Sequence, residues 1–236
     1  LEPEQNIKMQ FLEMAQGEVK DYQRPTLKTG TTTVALKVKD GVVMATDNRA
    51  TMGLFVASKT AKKLHRIQDY MYLTIAGGVA DAQYLIDVLR AETEIYNLRN
   101  EKKMGVKQAG KLLQNILYNN KGYFEVGLML GGVTSWEGPV LFDLEGYGSS
   151  LEEDYASVGS GSVFALGILE TEWKPDLSLE DGMNLAVKAV RSAIIRDIAS
   201  GNGIDVVGIK LNQPPIEKSY KITDKALISN TFSKSK

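Results

Sequence analysis

Residues Thr29-Gly30-Thr31-Thr32-Thr33-Val34-Ala35-Leu36-Lys37-Val38 run into the turn Lys39-Asp40-Gly41 and out again through Val42-Val43-Met44-Ala45-Thr46-Asp47. β-branched residues on both sides of a Lys-Asp-Gly turn predict two antiparallel strands joined by a tight hairpin. The first strand opens on threonines. Counting outward from a two- or three-residue connection around Asp40 places Thr31 opposite Arg49 or Ala50, beside Asp47 and Thr51. A slip of one residue turns every side chain to the other face, so the count sets nearness along the ladder and leaves orientation open.

A threonine freed at its own amino terminus carries a hydroxyl nucleophile and an amine whose reference pKa is about 7.7 to 8.0. That amine can serve as a general base. Gly30 lacks a Cβ and has backbone angles open to it that are closed to other residues, which predicts close approach of the Thr31 hydroxyl to the Gly30 carbonyl and self-cleavage between them. A Gly-Thr-Thr-Thr string also begins ordinary strands, and on these residues alone the ordinary strand start is the favoured reading.

The chain has 236 residues, 43% of them hydrophobic, enough for a sizeable core in one domain. A formal net charge of −1 and the lack of a dense Lys/Arg block argue against nucleic acid as a partner. No apolar run reaches the roughly 18 to 20 residues that span a bilayer, and the first residues lack the apolar core of a secretion signal, so a soluble, cytoplasmic protein is expected. The absence of cysteine excludes disulfides, thiol chemistry and Cys-ligated zinc. His65, the single histidine, would have to serve any Ser-His-Asp triad, and no nucleophile-elbow motif accompanies it. Hydrolysis would therefore use another base, such as a terminal amine.

Residues 1–30 differ from the rest. Met9, Phe11, Leu12 and Met14 form a weakly amphipathic patch among Glu, Gln and Lys, and Arg24-Pro25 breaks any helix. A flexible leader is expected here, with residues 31–236 as one domain. Further strands are predicted at 54–58 and 70–76, the latter ending in Gly77-Gly78, and at 126–131, 139–144 and 204–209. Helical spacing covers 80–98 and 106–118, then 163–170 and 179–199. The Lys- and Ser-rich end from Ser233 reads as frayed. Composition and order alone support a mixed α and β domain.

Gly30-Thr31-Thr32-Thr33, Ala45-Thr46-Asp47-Asn48-Arg49-Ala50-Thr51, Lys59-Thr60-Ala61-Lys62-Lys63, Thr74-Ile75-Ala76-Gly77-Gly78, Gly159-Ser160-Gly161-Ser162 and Arg196-Asp197-Ile198-Ala199-Ser200-Gly201 follow one another in this order. The series resembles the catalytic β subunits of the proteasome core particle, most of all the archaeal type, from Gly30 to about Lys210. The resemblance implies the amino-terminal-nucleophile hydrolase fold: an α+β, four-layer αββα sandwich of two packed antiparallel sheets flanked by helix pairs. It implies that residues 1–30 are a propeptide removed by self-cleavage at Gly30-Thr31, which frees the nucleophile.

By resemblance, Thr31 is the nucleophile and Lys63 stands beside it, either favouring deprotonated neighbours through its charge or relaying the proton itself. Asp47 pairs with Lys63, and Arg49 braces nearby loops. The N–H of Gly77 stabilises the oxyanion. Ser160, Asp197 and Ser200 orient the threonine amine and a water. Asp197 falls within the predicted helix near its end, an unfavourable place for an acid unless it has a partner. Gly159-Ser160-Gly161-Ser162 lacks the Gly-Lys-Ser/Thr of a nucleotide loop. Ala50, Ala61, Ile75 and Val79 would line the pocket for the residue before the cut, with His65 at its edge and Thr51 contacting substrate backbone. Small apolar walls favour cleavage after large hydrophobic residues.

The implied protein is a threonine endopeptidase that degrades unfolded polypeptides in a ring with other β subunits, stacked on α-subunit rings and fed by an ATP-dependent unfoldase. No metal and no cofactor are implied. The alternatives are a noncatalytic structural subunit that keeps its propeptide, opposed by the joint presence of Thr31, Asp47 and Lys63, and a hydrolase of the same architecture acting on small amides.

Overall fold

The computed structural model describes residues 30–222 and the backbone of 223 and of 226–230, so the expectations for residues 1–29 and for the end from Ser233 lie outside the described residues. β1 (Thr33–Val38) and β2 (Gly41–Asp47) pair antiparallel, with Thr33 opposite Thr46 and Val38 opposite Gly41. The connection is the two-residue turn Lys39-Asp40. Carried outward, that ladder sets Thr31 against Asn48 and not against Arg49 or Ala50.

The chain continues through β3 (Ala50–Met52), β4 (Phe55–Ser58), β5 (Leu64–Gln68), β6 (Met71–Gly77), α1 (Val79–Asn100), α2 (Val106–Asn119), β7 (Val126–Thr134) and β8 (Gly138–Glu145). Then come β9 (Ser150–Glu152), β10 (Tyr155–Val158), α3 (Ser162–Glu172), α4 (Leu179–Arg196), β11 (Gly203–Lys210), β12 (Ile216–Thr223) and β13 (Ala226–Asn230). Six strands form one sheet in the order β10-β1-β2-β11-β12-β13, and five form another in the order β5-β6-β7-β8-β9, while β3 and β4 make a separate hairpin. The pairings within both large sheets are antiparallel.

Side-chain alternation explains the layering. In β1, Val34 and Leu36 pack with Ala186, Ala189 and Val190 of α4, whereas Ala35, with Met44 of β2 beside it, clusters with Tyr72, Met129 and Leu141 of the other sheet. Both faces are buried, which is why the strand reads as a continuous apolar run. On the far side, Leu85 and Leu89 of α1 and Leu113 and Leu117 of α2 cover Leu73, Leu128 and Leu130. The result is the expected αββα sandwich of two face-to-face sheets between two helix pairs.

α4 is held by a buried stripe of Leu185, Ala186, Ala189, Val190 and Ala193, and by Ser178, whose hydroxyl accepts from the Asp181 N–H at 3.1 Å. Its end differs from the sequence expectation. The helix stops at Arg196, and Asp197 is the C-cap with φ −91° and ψ 114°. The Asp197 carboxylate takes the Ala199 N–H at 3.1 Å, a local bond that competes with another helical turn. β9 and β10 were not predicted, nor were β12 and β13, because short or polar strands carry little alternation. Among the described residues no helix is long and apolar enough to cross a membrane.

Candidate active site

Asp47 closes β2 at the open end of the six-stranded sheet and is fully buried. Its carboxylate is saturated with donors. Oδ1 accepts from the Thr31 hydroxyl at 3.1 Å, the Thr32 N–H at 3.0 Å and the Lys63 ammonium at 2.6 Å. Oδ2 accepts from the N–H groups of Arg49 and Gly201, each at 2.9 Å. A buried anion with five donors offsets much of its desolvation cost.

Lys63 precedes β5, with its carbonyl accepting from the Ile75 N–H of β6 at 3.0 Å. Burial pulls its ammonium below the ordinary lysine pKa, while the Asp47 and Asp197 charges push the other way and Arg49 adds to the lowering. Burial outweighs the pairing with Asp47, so loss of the Lys63 proton is easier than in water.

A second network holds the other end of Thr31. The Thr31 N–H donates to Ser160 Oγ at 3.1 Å, and Gly161 N–H donates to the Thr31 carbonyl at 3.2 Å. Ser160 Oγ lies 2.6 Å from Asp197 Oδ2 and 3.3 Å from the Thr31 carbonyl, so its one proton has the carboxylate as the nearer acceptor. Ser200 Oγ also reaches Asp197 Oδ2, at 2.7 Å, and Thr32 Oγ1 at 2.7 Å. With the Ser200 proton directed to Asp197, the Thr32 hydroxyl is the donor of that last pair. Asp197 thus has two hydroxyls and a backbone N–H at the end of α4, the partners that its position calls for.

Arg49 ties the loops together: Nη1 donates to the Ile198 carbonyl at 2.7 Å and Nε to Asn202 Oδ1 at 2.9 Å. Gly159 has φ +111°, and a Cβ there would strike the Thr31 carbonyl, so glycine is required at this turn.

Gly30 is tightly packed: a Cβ on residue 30 would collide with the Cβ of Ala199 and sit 3.0 Å from Ser160 Oγ. The Gly30 N–H donates to Thr51 Oγ1 at 3.0 Å, so Thr51 acts here through its hydroxyl.

The expected pocket residues come from β3, the segment before β5, β5, β6 and the start of α1. Ala50 opens β3 and Ala61 donates its N–H to the Asn48 carbonyl at 2.9 Å. Ile75 is buried, and Val79, the first residue of α1, is 48% exposed. His65 is half-buried with Nε2 3.0 Å from the Lys62 carbonyl, and burial lowers its pKa. Gly77 ends β6, exposed and with φ +99°.

The structure therefore gathers Thr31, Asp47, Lys63, Ser160, Asp197, Ser200 and Arg49 into one connected network. Gly77 and the pocket residues stand on neighbouring strands and loops. Sequence reading missed Thr32, Gly161, Gly201 and Asn202, which act largely through backbone atoms or single hydrogen bonds. Thr32, Gly161, Gly201 and also Ala199 stand inside the quoted motifs but were given no role there, and Asn202 follows directly on one of them.

Comparison with known proteins gives a match of residues 27–209 to the family described as proteasome subunit. The chain is 44% identical over 215 residues to the proteasome subunit beta of Archaeoglobus profundus, covering 90% of this chain and 97% of that one. It is 43% identical over 209 residues to the proteasome subunit beta of Methanocaldococcus vulcanius, covering 88% and 93%. With the proteasome subunit beta of Haloferax volcanii the identity is 47% over 179 residues, covering 76% and 73%.

Proposed function

The chain belongs to the proteasome subunit family, as a β subunit of the archaeal type and a threonine endopeptidase, and from this we propose that Thr31 is its nucleophile and is exposed by self-cleavage after Gly30. The observation that carries the assignment is the sharing of one Asp47 oxygen by the Thr31 hydroxyl and the Lys63 ammonium, at 3.1 and 2.6 Å.

In the precursor, Thr31 Oγ adds to the Gly30 carbonyl carbon. Its proton reaches the Thr31 nitrogen as the C–N bond breaks, leaving an ester between Gly30 and the Thr31 side chain. Water then divides that ester into the Gly30 carboxylate and a free hydroxyl. Residues 1–30 are thereby released, and 31–236 remain as the catalytic domain.

In the mature subunit the Thr31 amine accepts the hydroxyl proton while Oγ attacks a substrate carbonyl; the proton passes to the departing peptide nitrogen as the C–N bond breaks, and water hydrolyses the acyl-enzyme that remains. Ser160, Asp197 and Ser200 orient that amine through the bonds described above. Lys63 and Asp47 set the electrostatics around Oγ, Arg49 keeps the 198–202 loop in place, and the Gly77 N–H receives the oxyanion. Ala50, Ala61, Ile75 and Val79 offer apolar walls with His65 at the rim, and the lowered pKa of His65 favours a neutral ring at pH 7. This supports cleavage after hydrophobic residues.

Family membership supports assembly with other proteasome subunits. The finer reading is a ring of β subunits against α-subunit rings in the cytoplasm, receiving unfolded polypeptides from an ATP-dependent unfoldase.

The test is peptide mapping after reaction of the mature particle with a hydrophobic peptide that carries an electrophilic carbonyl group. Modification is expected on Thr31, and modification of another residue with Thr31 untouched would overturn the assignment.

A further inference from the structure

We propose that Ala199 is the residue that restricts self-cleavage to glycine at position 30, and that it does so independently of the pocket that selects peptides. The proposal rests on the self-cleavage reading above. Two facts carry it. A Cβ on residue 30 would run into the Cβ of Ala199, and its next neighbours would be Ser160 Oγ at 3.0 Å and the Ala199 Cα at 3.1 Å. In addition, Ala199 has little room to retreat.

Its immobility follows from the bonds on either side. The Ala199 N–H is held by Asp197 Oδ1 at 3.1 Å, and the Ile198 carbonyl by Arg49 Nη1 at 2.7 Å. Beyond it, Ser200 Oγ is fixed by Asp197 Oδ2 at 2.7 Å and the Gly201 N–H by Asp47 Oδ2 at 2.9 Å. A larger residue at 30 must therefore move itself. The opposite side of Gly30 is anchored too, by its N–H to Thr51 Oγ1 at 3.0 Å. Relief would displace the Gly30 carbonyl, the atom group that Thr31 attacks.

The three atoms nearest to a side chain at 30 belong to Ala199 and Ser160, and none belongs to Ala50, Ala61, His65, Ile75 or Val79. One nucleophile then has two separate determinants for the residue before the cut: Ala199 for its own chain, and the apolar pocket for peptides. This accounts for a glycine at the self-cleavage site of an enzyme proposed to favour large hydrophobic residues.

The experiment follows intact mass during assembly for the parent, Gly30→Ala, Ala199→Gly and the double variant. Overpacking against a fixed neighbour should slow release of residues 1–30 in Gly30→Ala by about tenfold to a hundredfold. Ala199→Gly should release them at close to the parental rate, and the double variant should recover roughly threefold to tenfold over Gly30→Ala. Recovery is expected to be partial because Ser160 Oγ and the Ala199 Cα remain close. Ala199→Gly should also leave unchanged the ratio of kcat/KM between peptides that differ only in the residue before the cut.

A double variant no faster than Gly30→Ala overturns the proposal. So does a Gly30→Ala chain cleaved as fast as the parent, whether or not Ala199→Gly is itself competent. A shifted peptide preference in Ala199→Gly would overturn the claimed independence. Retention of residues 1–30 by the parent is a different outcome: it removes the self-cleavage reading, and this proposal with it.

Discussion

The Lys63 ammonium lies 2.6 Å from Asp47 Oδ1, with side chains only 8% and 0% exposed, and the Thr31 hydroxyl meets that same oxygen at 3.1 Å. A buried pair of this kind contributes little net stability, but loss of one partner strands the other in a low-dielectric setting. Lys63→Ala should therefore unfold at lower temperature, with a loss of about 3 kcal/mol, and should be nearly inactive as an assembled particle. Thermal unfolding and peptide hydrolysis check the two parts, and a rate within a few-fold of the parent would remove Lys63 from the mechanism.

The same lysine predicts a pH dependence. Its folded pKa is lowered from 10.5, chiefly by burial. Across the interval between the folded and unfolded values the unfolded chain binds the extra proton, so this contribution to stability rises with pH until it is complete above 10.5. It is lost as pH falls through the folded value. The difference in unfolding free energy between parent and Lys63→Ala, measured against alkaline pH, should show this rise, and a flat difference would contradict it.

Asp143 gives the opposite sign away from the site. Burial, with help from Glu145 and Glu153, raises its carboxyl from 3.8 to about 6, and its Oδ1 is buried without a hydrogen-bond partner among the described residues. Its contribution to stability is fully present below 3.8 and is lost as pH rises through about 6. Asp143→Asn should stabilise the protein at pH 7.5 by about 1–2 kcal/mol, allowing for partial solvent screening, and should have little effect at pH ~4. Thermal unfolding at the two pH values decides it.

Ser160 links the Thr31 nitrogen, at 3.1 Å, to Asp197, at 2.6 Å. Ser160→Ala should lower kcat of the mature particle by about 10²-fold with a smaller change in KM, because the lost bond orients the base and does not hold substrate. A change confined to KM would assign Ser160 to substrate binding.

Much of this arrangement was legible before the structure. The β-branched run from Thr31 to Val38 and the Lys39-Asp40 turn gave the hairpin, and ladder counting brought Thr31 close to Asp47. The register was off because residue types do not fix which residues between Val38 and Val42 make the turn: the count took Gly41 into it, whereas Gly41 pairs with Val38. Lys63, Ser160, Asp197 and Ser200 come from separate parts of the chain, and only the family resemblance joined them, since periodicity contains no long-range contacts. One local reading failed for a physical reason: Asp197 ends α4 because its side chain competes for backbone N–H groups, which helical spacing does not register. A side chain at Gly30 would meet Ala199, a steric neighbour that no local rule connects to it.

Peptidase activity depends most on Thr31 creating its own amino terminus. Intact mass of the assembled particle, parent beside Thr31→Ala, tests this directly. The parent should lack residues 1–30 and begin at Thr31, while Thr31→Ala should keep them and hydrolyse no peptide. Release of the segment at the same bond in Thr31→Ala, or peptide hydrolysis by a parent that still carries it, would contradict the account.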